Sequence, residues 1–215
     1  MNKLKLMRIK FFGHSCVLID DKILVDPHDG GSIGLPKPDV KDANLILITH
    51  DHYDHNAYQL FQYKDLKINY YGEFKYEDYV VKGLKTFHDK YNGKLRGENT
   101  VYVIKRGDKK VVHLGDIGHL PDEKIYDEIS APDVLLIPIG GVITIDYKEA
   151  LEIIHKTTPK IIIPIHFWVK GHYMPLDPPD NFLLNIQGYQ IKQIDFKNNE
   201  IDIADEQKIV YVFKT

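Results

Sequence analysis

Three histidines and the Asp54 carboxylate crowd into Thr49-His50-Asp51-His52-Tyr53-Asp54-His55, directly after the apolar run Leu45-Ile46-Leu47-Ile48. An extended backbone points side chains two residues apart to the same side, so His50 and His52 can share one cation. If the chain then turns, Asp54 and His55 can swing toward a second cation nearby. Imidazole and carboxylate together suit a borderline divalent metal such as zinc. A polar loop of surface histidines is the bland alternative. It leaves unexplained why the ligands sit where a buried strand ends.

Three further ligand-competent residues follow apolar runs: His88 after Gly83 to Phe87, Asp116 after Val111 to Leu114, and His166 after Ile161 to Ile165. Ligands at strand ends on one edge of a sheet sandwich can converge on a common point.

The elements that must position them are mostly short strands. Met7 to Phe12, Cys16 to Asp20 and Lys22 to Val25 read as strands joined by tight connections, followed by the Gly- and Pro-rich loop 30–38. Leu45 to Thr49 carries the ligand cluster, and Asn56 to Tyr63 is expected to form a short helix. Ile68 to Tyr71, Gly83 to Phe87, Thr100 to Lys105 and Lys110 to Leu114 are further strands. Helices are expected from Pro121 to Ile129 and from about Asp146 to His155, with strands Asp133 to Pro138 and Lys160 to Ile165 between and after them. The tail reads as strands Gln190 to Asp195 and Ile201 to Phe213 around an Asn198-Asn199 turn. Two sheets packed face to face with helices outside would accommodate this order.

At 215 residues the chain is expected to form one domain, 1–215, with a substantial core. A formal net charge of −3 argues against wrapping nucleic acid. The single cysteine, Cys16, excludes an internal disulfide and reads as a small core residue. Met1 to Leu6 interleaves charged and apolar residues without an export stretch, and no run approaches membrane-spanning length, so a soluble cytoplasmic protein is expected.

With Gly13-His14-Ser15, Asp26-Pro27, the 50–55 cluster, His88, His113-Leu114-Gly115-Asp116 and Ile163-Pro164-Ile165-His166, the chain resembles the metallo-β-lactamase fold superfamily of metal-dependent hydrolases. It is most similar to the branch containing ascorbate-6-phosphate lactonase-like and N-acylphosphatidylethanolamine phospholipase D-like proteins. The resemblance spans nearly the whole chain. It implies an α/β, four-layer αββα sandwich of two mixed sheets with outer helices and the metals at one edge. It also implies that His50, His52 and His88 bind one cation, that Asp54, His55 and His166 bind the other, and that Asp116 bridges them. Zinc is the first expectation, with manganese, iron or nickel as alternatives for the two divalent ions. His113 competes with His88 for the first site, the alternative for His113 being a supporting or core histidine. Asp26 is expected either to orient a metal-bound histidine or to cap a turn.

Two such cations share a water, lower its pKa toward neutrality and polarise the scissile oxygen. The expected activity is therefore hydrolysis of a small-molecule ester, lactone, amide or phosphodiester, with Asp54 orienting the water. His14, His172 and Tyr173 are candidates for contacting substrate or leaving group, and His14 could equally hydrogen-bond behind the ligands. Trp168 and Lys170 are candidates for a pocket wall or for ordinary loop packing. Gly140-Gly141 permits a close backbone approach or a simple turn. Asp108, His119 and His155 read as a solvated turn residue, a loop residue and a helix-surface residue. A non-catalytic metal-binding or regulatory scaffold and a nuclease of the same fold are the alternatives. A flavin-linked diiron reductase is disfavoured by His52 at the second ligand position. A glyoxalase II-like thioesterase is disfavoured by Asn56-Ala57 after the cluster.

Overall fold

The computed structural model describes residues 7–203 and 208–215. The expectation about Met1 to Leu6, and the part of the tail strand over 204–207, lie outside the described residues.

Two mixed sheets pack face to face. The smaller contains β1 (Met7–Phe11), β2 (Val17–Ile19), β3 (Ile23–Val25), β4 (Asp42–Ile48), β5 (Gln62–Ile68) and β13 (Glu200–Ile203), in the order β13-β1-β2-β3-β4-β5. The larger contains β6 (Gly72–Tyr76), β7 (Tyr79–Phe87), β8 (Glu98–Arg106), β9 (Lys109–His113), β10 (Val134–Pro138), β11 (Ile161–Ile165), β12 (Gln190–Ile194) and β14 (Ile209–Phe213). Its order is β12-β14-β11-β10-β9-β8-β7-β6.

Strand alternation divides the smaller sheet cleanly. Ile9, Phe11, Val17, Ile19, Ile23, Val25, Leu45 and Leu47 belong to the main core, while Leu18, Leu24, Ile46 and Ile48 belong to a separate cluster closed by Phe61, Val40 and Tyr58. Loop residues and a one-turn 3-10 helix, Ala57–Leu60, therefore cover that outer face. The larger sheet is flanked by α1 (Glu123–Ile129), α2 (Tyr147–Thr157) and α3 (Asp180–Asn185). All five residues of β10 and all five of β11 are buried, because both faces of these parallel strands are covered. α2 starts at a capping box in which Asp146 accepts from the Glu149 amide and Glu149 reaches back to the Asp146 amide. Its buried residues Ala150, Ile153, Ile154 and Thr157 follow the helical period. Among the described residues, no helix is long and apolar enough to cross a membrane.

Pairing directions bring the site to one edge. β1, β3 and β4 run parallel to one another in the smaller sheet, and β7, β9, β10 and β11 do so in the larger. The amide of Thr100, near the start of β8, donates to Thr49 O, and Tyr102 donates its hydroxyl to Ile48 O, so the two sheets are tied where β4 ends.

Several elements differ from expectation. The helix expected over Asn56 to Tyr63 is only the 3-10 turn, because the chain is already extended at Phe61 and enters β5 at Gln62. Of the strand expected at Ile68 to Tyr71, only Ile68 lies in a strand, as the last residue of β5, and 69–71 connect the sheets, with Asn69 at φ 48°. β7 begins at Tyr79, four residues before its expected start. The strands on either side of the Asn198-Asn199 turn do not pair, since β12 joins the larger sheet and β13 the smaller. The helix α3 carried no expectation.

Candidate metal centre and active site

The 50–55 segment turns rather than continuing the strand. β4 stops at Ile48, the His52 amide donates to His50 O (3.1 Å) and the His55 amide to His52 O (3.0 Å). His50 and His52 thus meet, ring centres 4.6 Å apart, through a bend and not through the expected extended alternation. Asp26, just past β3, organises this bend. One carboxylate oxygen accepts the Thr49 amide (2.8 Å), and the other accepts the Thr49 hydroxyl (2.7 Å) and lies 3.0 Å from His55 Nδ1. With the Nδ1 proton given to Asp26, His55 presents a bare Nε2 to the site. Asp26 both closes a turn and orients His55.

His88, Asp116 and His166 arrive from the larger sheet. Asp116 is placed by Asn99, whose side-chain oxygen accepts the Asp116 amide (2.9 Å) while its amide group donates to Leu114 O and Thr86 Oγ1. At Gly115, φ 56°, a Cβ would lie 2.4 Å from that Asn99 oxygen. His166 follows β11 at φ 49° and its amide donates to the carbonyl of His14, itself at φ 53°. Left-handed backbone at a non-glycine residue costs about 1–2 kcal/mol each, strain that packing around the site must hold. Gly140 packs on this segment, where a Cβ would lie 2.1 Å from His166 O.

One oxygen of Asp116 sits among four imidazole nitrogens. Asp116 Oδ2 lies 2.9 Å from His166 Nε2, 3.2 Å from His88 Nε2, 3.3 Å from His55 Nε2 and 3.7 Å from His50 Nε2. Both Asp116 oxygens and the Nε2 atoms of His50, His55 and His166 are buried without a hydrogen bond. Buried polar atoms are normally partnered, so this constellation is incomplete as a purely protein structure. Two ligand atoms on one tetrahedral cation stand about 3.3 Å apart, which is the spacing seen. The residues present therefore fit divalent cations. Ligand-competent atoms fall into His50, His52 and His88 on one side and Asp54, His55, His166 and His14 on the other, each set within 4.8 Å.

Electrostatics follow from this packing. Burial disfavours ionised Asp54 and Asp116, yet the surrounding imidazoles hold both carboxyls well below the ordinary range. Burial likewise opposes protonation of His166, but the charge on Asp116 outweighs it and raises its pKa to about 9. His55 is raised by Asp116, Asp54 and Asp26 against the same burial penalty. For His50 burial and the charge of His55 prevail and the pKa falls.

The other candidates separate by contact. His113 has both ring nitrogens engaged, one 2.9 Å from Ser15 O and the other accepting the Gly115 amide, so it is turned away from the ligand atoms. His119 is likewise engaged, accepting the Phe87 amide and lying 2.8 Å from Leu120 O. His155 is exposed on α2. His14 Nε2 lies 3.0 Å from Asp54 Oδ2. His172 is buried beside it, ring centres 5.2 Å apart, with neither ring nitrogen hydrogen-bonded and its pKa lowered to about 4 by burial. Tyr173 is exposed. Trp168 and Lys170 line a separate groove with Leu183 and Phe213. The site itself opens into a cavity of about 360 Å³ lined by Asp51, His52, Tyr53, Asp54, His88, Arg96, Ile143 and Met174. Asn99, His28, Asp89 and Arg96 carried no sequence expectation; a His-Asp pair after an apolar strand was the signal available for Asp89, and it marks only the histidine.

A family model described as the beta-lactamase superfamily domain matches residues 8–166. The chain belongs to the metallo-β-lactamase superfamily. This superfamily member is 31% identical over 187 residues to a metal-dependent hydrolase of Thermoplasma acidophilum, covering 75% of this chain and 83% of that one. It is 31% identical over 192 residues to a metal-dependent hydrolase of Pyrococcus horikoshii, covering 75% and 85%. Among solved structures, a proposed Zn-dependent hydrolase of the superfamily from Thermotoga maritima superposes with a TM-score of 0.77 at 31% identity, over 97% of this chain and 100% of that chain.

Proposed function

We propose that this superfamily member is a hydrolase that uses two divalent cations, zinc first, on an ester, lactone, amide or phosphodiester bond of a small molecule. The observation that carries the reading is the Asp116 oxygen lying 2.9–3.7 Å from four imidazole nitrogens, two from each ligand set. The relatives named metal-dependent hydrolases support it. His50, His52 and His88 hold one cation, Asp54, His55 and His166 hold the other, and Asp116 belongs to both. When bound, the cations supply an activated water at neutral pH and polarise the scissile oxygen. Asp26 fixes the His55 tautomer, Asn99 fixes the Asp116 backbone, and Asp54 takes a hydrogen bond from His14 that limits the carboxylate's rotation. The unpartnered His172, whose ring packs on His14, is the candidate for contacting a leaving group.

The test combines metal counting with turnover. Elemental analysis should give two equivalents per chain in the wild type, one in His88→Ala and one in the double variant Asp54→Asn/His55→Ala. Turnover of a panel of lactones, aryl esters, acyl amides and phosphodiesters should disappear on chelation and in the double variant. Normal turnover in that variant would reject the assignment. Two bound equivalents without turnover anywhere in the panel would favour a scaffold.

A further inference from the structure

The cavity that opens from the ligand cluster has one basic wall. Arg96 shares it with His52, Asp54 and His88, and also lines the adjoining depression with His88, Lys90, Tyr91 and Ile143. The Arg96 side chain is exposed and makes no ion pair with a carboxylate among the described residues. Its neighbour Lys90 differs, being paired with Glu149 at 2.7 Å. Asp51, a carboxylate in the same cavity wall, accepts from Asn56 at 2.6 Å.

The backbone beneath Arg96 is held in place. The Asp89 carboxylate accepts four main-chain amides, from Tyr91 (2.7 Å), Gly93 (3.0 Å), Leu95 (2.9 Å) and Arg96 itself (2.8 Å). The 89–97 loop is closed further by the Gly97 amide on Gly93 O and by the His88 amide on Gly97 O. A cation on so constrained a loop loses less freedom when it binds an anion than one on a free loop. Around it, Tyr53, Ile143 and Met174 give the cavity apolar walls.

We propose that Arg96 is the specificity-determining residue, and that the substrate is a small molecule with an apolar body and an anionic group, a carboxylate or a phosphate, set apart from the bond that is cleaved. The guanidinium offers planar paired donors that match either oxyanion. The proposal rests on the hydrolase reading, since it places the reacting bond at the ligand cluster and the anion at Arg96.

The test uses three aryl acetates that differ only in the para group: methyl, carboxylate or phosphonomethyl. Zinc-loaded wild type should prefer an anionic ester over the neutral one by about tenfold or more in kcat/KM, the effect of one charge-assisted contact. Arg96→Ala should collapse that ratio, and Arg96→Lys should restore part of it. The better of the two anionic esters identifies the oxyanion. A ratio in Arg96→Ala equal to that of wild type overturns the proposal while leaving the hydrolase reading intact. If no ester is turned over, the ester form of the hydrolase reading fails. Arg96 is then judged by calorimetric titration of the zinc-loaded protein with benzoate and phenylphosphonate. About tenfold weaker binding in Arg96→Ala supports it, and equal binding overturns it.

Discussion

His55, His113 and His28 are all fully buried imidazoles, yet their ring nitrogens meet different partners. His55 gives one nitrogen to Asp26 and leaves the other bare toward Asp116, whereas His113 has both engaged by backbone. His28 sits between these cases. Its Nε2 lies 3.3 Å from Phe12 O and its Nδ1 has no partner. Burial dominates there and lowers its pKa to about 4. An unfolded histidine titrates near 6.5, so below that pH the unfolded chain binds a proton that the folded one refuses. His28 therefore favours folding fully above about pH 6.5, and that contribution is lost as pH falls toward 4. The linked loss is about 3 kcal/mol across that window. Urea unfolding of wild type and His28→Gln at pH 7, 6, 5 and 4 checks this. The wild type should lose about 3 kcal/mol more than the variant, whose amide can still reach Phe12 O. Parallel pH profiles would show that His28 is not the group responsible.

At the scale of elements, the 89–97 loop has no packed core of its own, and one side chain gathers four of its amides. Asp89 accepts four amides there, and those bonds, against the cost of burial, hold its carboxyl below the ordinary range. Asp89→Ala should raise the hydrogen-exchange rates of Tyr91, Gly93, Leu95 and Arg96 by about tenfold or more, while β10 and β11 keep their protection. Unchanged exchange at those four amides would mean that the turn geometry, not Asp89, closes the loop. The sequence offered no way to see this, because a carboxylate bonded to backbone amides leaves no periodic trace. What was legible follows the same logic. β4, β10 and β11 are continuous apolar runs because both faces are buried, and ligands directly after them stood out. The edge strands β5 and β6 are largely exposed and mixed in polarity, so their boundaries were missed. Asp26 and Asn99 act on partners 29 and 17 residues away, His55 and Asp116, distances at which spacing carries no signal.

The ligand cluster joins the two sheets at one edge of their largely apolar interface. His50, His52, Asp54 and His55 follow β4 of the smaller sheet, and His88, Asp116 and His166 follow strands of the larger one. Direct polar links at this edge include the Thr100 amide on Thr49 O, the Tyr102 hydroxyl on Ile48 O and His14 O receiving the His166 amide. Cations held by residues from both sheets would bind only the assembled molecule, so their affinity becomes folding stability. At a free metal concentration a thousand times the dissociation constant, each site contributes about 4 kcal/mol. For a chain of this size each kcal/mol moves Tm by about 2–4 °C. Chelation should therefore lower Tm by roughly 10 °C or more, and zinc should restore it, with one cooperative transition in both states. Differential scanning calorimetry on protein checked by elemental analysis decides the matter. Asp116→Asn should behave like the chelated wild type and respond little to zinc, since the shared ligand comes from the larger sheet. If zinc still raises the Tm of Asp116→Asn by the full amount, Asp116 is not the ligand through which cation binding stabilises the joined sheets.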